Sequence, residues 1–379
     1  MSLLRLFPAV GLVGSRQVGK TTFVREGLPP DPGGREDVYV DLENPRDAAM
    51  LQDPLDYLER RSDKRIIIDE VQLRPDLFSV LRPVIDADRR PGRFVLLGSA
   101  SPSLIRGASE SLAGRIGYIE LTPLTRAETQ DYDELAPAHW LRGGYPSSLL
   151  ASSAEDSELW RLNYLEAYIT RELPLLAPVL LPNVMRTLLS MLAGQQGDLV
   201  NFSALSRAIG VLQATVKSYL KILEQSYLLR VLPPYAVDVR KRLVKAPKIY
   251  IRDSGLLHAL LGIDDEDQLT SSVAVGGSWE GYAVEQIISS LSSRVRAYFY
   301  RTHAGAELDL VLEGRRGRLA VVEVKRSSAP KLSRGFYNAR TDLGPELSLV
   351  VAPVSESYSL GDGVEVVSLG MAQELLEGW

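Results

Sequence analysis

The chain has 379 residues, a net charge of −5, no cysteine and three histidines, His139, His258 and His303, spread far apart. That length exceeds what one hydrophobic core ordinarily serves and predicts two or three domains. The composition excludes disulfides and thiolate zinc sites, so that any metal would rest mainly on oxygen ligands, and the charge argues against a uniformly basic nucleic-acid coat while leaving room for a local basic patch.

The opening MSLLRLFPAVGLVG resembles a signal peptide, but Pro8 interrupts it and it runs into a glycine-rich loop, so it reads as a first core strand. No apolar run approaches the ~18 residues of a membrane span, and a cytoplasmic protein is expected. As far as Leu121, short β-branched runs alternate with helical stretches. Strands are predicted at Ala9–Val13, Val38–Leu42, Arg65–Asp69, Arg93–Gly98 and Gly117–Leu121, the pattern of an α/β domain with a mostly parallel sheet. From about Ala151 to Leu232 the spacing turns helical, as in Val184–Leu192 and Ala214–Leu223. Beyond the basic stretch Arg240–Lys248 and the acidic turn Asp264–Asp267, α/β character returns with the helical SWEGYAVEQIISSL. Strands follow at Val295–Tyr300, Ala306–Leu312 and Leu319–Val324.

The first motif is GSRQVGKTT, in which Gly14, Gly19, Lys20 and Thr21 satisfy GxxxxGK[ST] between an apolar strand and a predicted helix, Lys20–Glu26. Backbone N–H groups of Gly14, Ser15, Arg16, Gln17, Val18, Gly19 and the first helical residues through Thr22 would wrap phosphates. Lys20 would supply a cation and Thr21 a hydroxyl for Mg²⁺, so the expected ligand is ATP with Mg²⁺. A partner carboxylate should close a neighbouring strand, and RIIIDEVQ supplies two. Asp69 is expected to hold the metal or its water and Glu70 to orient or deprotonate the attacking water. Ser99, after the strand Arg93–Gly98, is a candidate γ-phosphate sensor. Arg115 is either an arginine finger reaching a neighbouring subunit of a homo-oligomer or an ordinary surface residue.

These residues, with DEVQ at Asp69–Gln72, SLAGR at Ser111–Arg115, GGYP at Gly143–Pro146, YITRE at Tyr168–Glu172 and PKIYIRDSGLL at Pro247–Leu257, resemble a family of prokaryotic AAA+ type ATPases with a C-terminal DUF4143 domain. The resemblance implies an ATPase core, a winged-helix-like middle and a C-terminal region similar to PD-(D/E)xK nucleases. The expected fold class is therefore α/β: a P-loop NTPase parallel sheet with helices on both faces, then a helical winged-helix-like domain, then a restriction-endonuclease-like α/β domain. The expected boundaries are 1–125 for the ATPase, 126–150 for a connection, 151–236 for the helical domain, 237–270 for a basic linker and 271–379 for the nuclease-like domain.

In the middle, NFSALSRAIGVLQATVKSYLKILEQ reads as two helices around Gly210, the first capped by Asn201 or Ser203 and the second spanning Gln213–Glu224. Gln213, Lys217 and Lys221 are outward candidates for a DNA groove, although such modules also serve as packing units. Arg240, Lys241, Arg242, Lys245 and Lys248 are either phosphate contacts or a solvated charge run.

Near the end, Gly314–Gly317 predicts a hairpin in AELDLVLEGRRGRLAVVEVK. Pairing Glu313 with Leu319 sets Asp309 opposite Glu323. Alternation then groups Glu307, Asp309, Glu323 and Lys325 on one face and Leu308, Leu310, Val322 and Val324 on the other. Opposed like charges destabilise a sheet, and Mg²⁺ or Mn²⁺ on the oxygens would offset them. Asp309, Glu323 and Lys325 match the D…ExK pattern of the nucleases, to which Glu280, or alternatively Glu285, would add the helical acid. A solvated face neutralised by Lys325 is the competing reading.

The expected function is an ATPase that couples nucleotide state to a nucleic-acid-handling, nuclease-like domain, with DNA the expected partner. The alternatives are a nucleotide-dependent switch that binds a protein or DNA without cleaving it, and a sequence-specific regulator that reads DNA through the helix-turn-helix.

Overall fold

The computed structural model describes residues 2–31, 33–101, 112–132, 134–176, 181–236 and 243–379. The chain divides into two compact units, Met1–Pro123 with Gln225–Tyr227 and Leu124–Glu224 with Leu228–Trp379. Among the described residues no helix is long and apolar enough to cross a membrane.

The first unit is built on a five-stranded parallel sheet of β1 (Ala9–Val13), β2 (Asp37–Asp41), β3 (Arg65–Asp69), β4 (Phe94–Gly98) and β5 (Ile116–Glu120), in the order β2-β3-β4-β1-β5. Each strand lies within a residue of its expected bounds. Every residue of β1, β3 and β4 is buried, as inner strands of a parallel sheet covered on both faces must be, whereas the edge strands β2 and β5 keep partly exposed residues. The parallel register pairs Val13 with Gly98 and Asp41 with Asp69, so the carboxyl ends of the strands emerge along one edge. That edge is where α/β sheets place their ligands. The helix expected over Lys20–Glu26 is α-helical only from Lys20 to Thr22 and continues as a π-turn over Phe23–Gly27.

The second unit begins with helices that include Ala154–Ala167 and Pro182–Ala193. The helix-turn-helix forms as read: helices Phe202–Ile209 and Gln213–Gln225 flank Gly210, whose φ of +70° lies in the left-handed region open to glycine. Of the two candidate caps it is Asn201 that accepts from the Ala204 N–H, at 3.0 Å. An antiparallel pair follows, β6 (Leu229–Leu232) with β7 (Lys248–Ile251). The last sheet comprises β8 (Arg296–Arg301), β9 (Glu307–Glu313), β10 (Leu319–Val324), β11 (Leu347–Val351), β12 (Tyr358–Gly361) and β13 (Val364–Val367), in the order β12-β13-β11-β10-β9-β8. One face packs on residues of the helices Val275–Ser290 and Leu369–Glu377, and the other packs on Phe336 and Ala339 of Arg334–Leu343.

Glu313 pairs with Leu319, the expected register, and the ladder runs as far as Leu310 with Val322. The face assignment needs one correction. Leu310, Val322 and Val324 share a core, but Leu308 lies in the opposite one with Val311 and Val321. The cause is a bulge. Tyr298 pairs with Val311 and Tyr300 with Leu308, so Phe299 of β8 stands opposite both Asp309 and Leu310, and the extra residue reverses the alternation beyond it.

Candidate functional site

The sheet edge of the first unit gathers the nucleotide-site candidates. Gly14 leaves β1 with φ +154°, and a Cβ there would lie 2.2 Å from the Leu121 carbonyl oxygen, so this turn admits only glycine. Gly19 has φ +97° and open space around its missing side chain. Gln17 also adopts a positive φ, and Ser15 and Val18 are buried, with Arg16 between them bonded to Glu43 at 2.8 Å. Lys20, 5% exposed, points back into the loop and donates to the carbonyls of Gly14 (3.0 Å) and Ser15 (2.8 Å). Burial lowers its pKa against the opposing pull of Glu70 and Asp69. Thr22 completes the first turn.

Thr21 Oγ1 donates to Asp69 Oδ2 at 2.8 Å, and the Glu70 N–H donates to Asp69 Oδ1 at 2.9 Å. Tyr39, on β2, also donates its hydroxyl to Asp69 Oδ2, and Arg25 lies 4.7 Å from the centre of its ring. Glu70 holds a left-handed conformation, φ +53°, uncommon for a residue with a Cβ. Its carboxylate accepts from Gln72 Nε2, which also donates to Ser99 Oγ at 2.8 Å. Burial raises the Glu70 pKa, and the Gln72 hydrogen bond and Lys20 counter it. Glu70 and Ser99 are therefore joined through one amide, a link absent from the reading of the sequence although Gln72 stands in the DEVQ motif.

This arrangement fits a nucleotide with Mg²⁺: a glycine-built cradle, a lysine held on loop carbonyls, and a hydroxyl and carboxylate already in register. Arg115 is placed elsewhere, its guanidinium donating to both oxygens of Asp86 at 2.9 and 2.7 Å.

In the second unit the structure brings together Glu280, Asp309, Glu323 and Lys325, and adds Lys248 from the basic stretch. Lys248 is 3% exposed, and its Nζ lies 3.0 Å from Asp309 Oδ1, 3.0 Å from Glu280 Oε1 and 3.6 Å from Glu307 Oε1. The solvated reading of Lys248 is thus overturned: pairing β7 with β6 carries the side chain into the interior. Arg240, Lys241 and Arg242 lie outside the described residues, and Lys245 is exposed. Tyr250, two residues along the same strand, donates to Glu280 Oε1 at 2.7 Å. Alternation of Lys248 and Tyr250 with Ile249 and Ile251 was the available signal.

The other groups are also partnered. Asp309 Oδ2 accepts the Val324 N–H at 3.0 Å, taking over where the backbone ladder stops. Lys325 donates to Glu323 Oε1 at 2.7 Å, and the buried Glu323 Oε2 has no hydrogen-bond partner. Burial and then Asp309 push Glu323 up to about 8 and Glu280 up to about 7. Burial would depress Lys248, but Asp309 and Glu280 outweigh it and hold the ammonium well above its ordinary value. Among the described residues no group of three or more His, Asp or Glu side chains is gathered in a way that could hold a metal ion. Glu285, the alternative helical acid, is away from this cluster, between Arg230 (2.5 and 2.8 Å) and Arg252 (2.7 Å). On the helix Gln213–Gln225, Gln213, Lys217 and Lys221 are all exposed.

Three family models match the chain: an AAA domain over residues 7–130, a domain of unknown function, DUF8612, over 133–267, and a second, DUF4143, over 275–372. Uncharacterized proteins from Mycobacterium bovis and Mycobacterium tuberculosis are each 41% identical over 375 residues, covering 97% of this chain and 83% of theirs. Among solved structures, AMPPCP-bound DnaA from Aquifex aeolicus aligns at 12% identity over 58% of this chain and 82% of its own, with a TM-score of 0.28. Drosophila ORC bound to DNA aligns at 13% over 69% and 91%, with a TM-score of 0.24. Neither of these two alignments bears on function.

Proposed function

We propose that this chain, which belongs to the family of proteins joining an AAA domain to a C-terminal DUF4143 domain, hydrolyses ATP with Mg²⁺ at the Gly14–Thr22 loop and uses the turnover to switch a binding module in its second unit. The observation that carries this reading is the 2.8 Å hydrogen bond from Thr21 to Asp69, which joins the loop to the end of β3 across 48 positions of sequence. Thr21 and Asp69 would hold the ion, the hydroxyl directly and the carboxylate directly or through water. Bound there, Mg²⁺ neutralises charge on the phosphate oxygens. Lys20 exchanges its loop carbonyls for phosphate oxygens. Glu70 orients the attacking water and takes its proton, and Gln72 ties that carboxylate to Ser99, the sensor of the γ-phosphate. Arg115 is held by Asp86 and is given no part in this scheme.

For the second unit we favour binding without cleavage, because the Lys248 ammonium stands between Asp309 and Glu280. DNA is the proposed partner, met by the exposed Gln213, Lys217 and Lys221. Two measurements test these statements. Lys20→Ala should abolish ATP hydrolysis, and Glu70→Gln should retain nucleotide but turn over ~10²- to 10⁴-fold more slowly; wild-type turnover in both would refute the site. Lys217→Ala with Lys221→Ala should weaken duplex binding and flatten its salt dependence; unchanged binding would remove this helix from the proposal, and a wild-type chain that binds no duplex would remove DNA.

A further inference from the structure

The nuclease-like pattern of the last sheet implies a divalent metal on Asp309, Glu323 and Glu280, and the donor set does not fit one. A hard cation of this class needs about six oxygen ligands. Here the oxygens that would face it are already engaged: Asp309 Oδ1 and Glu280 Oε1 by Lys248, Asp309 Oδ2 by the Val324 N–H, and Glu323 Oε1 by Lys325. Among the described residues, Glu323 Oε2 is the one buried oxygen of these three acids without a partner, and one oxygen does not make a coordination sphere.

We infer that Lys248 is the resident cation of this cluster and that its ammonium supplies the positive charge there in place of a catalytic divalent metal. A lysine Nζ has three N–H donors, and this one is surrounded by three carboxylates, at 3.0, 3.0 and 3.6 Å. It supplies the positive charge that opposed carboxylates require. A divalent ion entering among the same oxygens would meet a buried like charge that cannot swing into solvent, because the side chain is 3% exposed and enters from β7, fixed by its pairing with β6. The charge of these acids is thus met by one residue from outside the hairpin. This deepens the reading of the second unit as a binding module.

The test uses the full chain without nucleotide, so that neither ATP hydrolysis nor DNA binding affects the outcome. Uptake of Mn²⁺ is measured from the electron paramagnetic resonance signal of the free ion, for wild type, Asp309→Asn, Lys248→Met, Lys248→Gln, and Lys248→Met with Asp309→Asn. We expect wild type and Asp309→Asn to be indistinguishable. Lys248→Met or Lys248→Gln should gain one bound Mn²⁺ per chain, and adding Asp309→Asn should remove it. Wild-type uptake that Asp309→Asn abolishes would overturn the inference, and so would a folded Lys248 variant that gains no ion. Should both Lys248 variants fail to fold by circular dichroism, wild-type uptake that Asp309→Asn abolishes still overturns the inference, and equal, negligible uptake by the two upholds the absence of a metal there.

Discussion

Replacing Gln72 by leucine isolates the link between Glu70 and Ser99. The side chain keeps its approximate size but loses the amide that donates to the Glu70 carboxylate and, at 2.8 Å, to Ser99 Oγ. A hydrogen bond to a charged group contributes roughly 1.5–3 kcal/mol. If it is needed where the attacking water is positioned, its loss lowers kcat by about tenfold to a hundredfold, at ~1.4 kcal/mol per decade. KM for ATP should stay near wild type, because Lys20 and Thr21 are untouched. A second readout separates positioning from general damage. Burial raises the Glu70 pKa and the Gln72 bond pulls it down, so without that bond the pKa rises further. The acid limb of the kcat–pH profile should then move to higher pH, whereas Gln72→Asn, which keeps an amide, should lie between. The assay is steady-state phosphate release from ATP across pH, with nucleotide affinity measured separately. A kcat within twofold of wild type, or a fall in kcat with an unmoved acid limb, would refute the reasoning.

Two further predictions concern the stability of the second unit. Glu285→Gln leaves Arg230 and Arg252 facing a neutral group, and removing one partner of a buried ion pair typically costs about 3–5 kcal/mol. The Arg230 side chain keeps 22% exposure and Arg252 10%, so about 2–3 kcal/mol is the better expectation. That corresponds to a melting transition lowered by roughly 5–10 °C, and calorimetry showing no change would contradict the pairing. The pH response has a definite sign. Glu323 and Glu280, raised to about 8 and about 7, hold more protons folded than unfolded. Their stabilising contribution is complete below the ordinary carboxylate range and is lost as pH climbs through 7 to 8, by at most ~1.4 kcal/mol per pH unit for each proton. Glu285, lowered to about 2 where its arginines outweigh burial, behaves oppositely and loses its contribution only in strong acid. The second unit should therefore melt at a lower temperature at about pH 8.5 than at about pH 5.5. Glu323→Gln should flatten that slope, and a slope of the reverse sign would contradict the assignment.

Some of this protein is encoded locally, and that part could be read from its residues. A phosphate cradle is one short run of chain whose turns demand glycine at Gly14 and Gly19, so its chemistry and its conformation occupy the same nine letters. Asp69 and Glu70 end an isoleucine run, and the pairing of Glu313 with Leu319 follows from the five-residue connection 314–318. The tertiary structure alone decided which long-range partners those groups meet. Lys248 is indistinguishable in sequence from its solvated basic neighbours until β7 pairs with β6 and carries it among acids as far away as Asp309, 61 positions on. Arg115 is a free arginine on paper until a helix brings Asp86 to it. The bulge at Asp309 depends on β8, which local alternation cannot sense. Local chemistry thus determined where phosphate would bind, and packing decided which charges remain available to act.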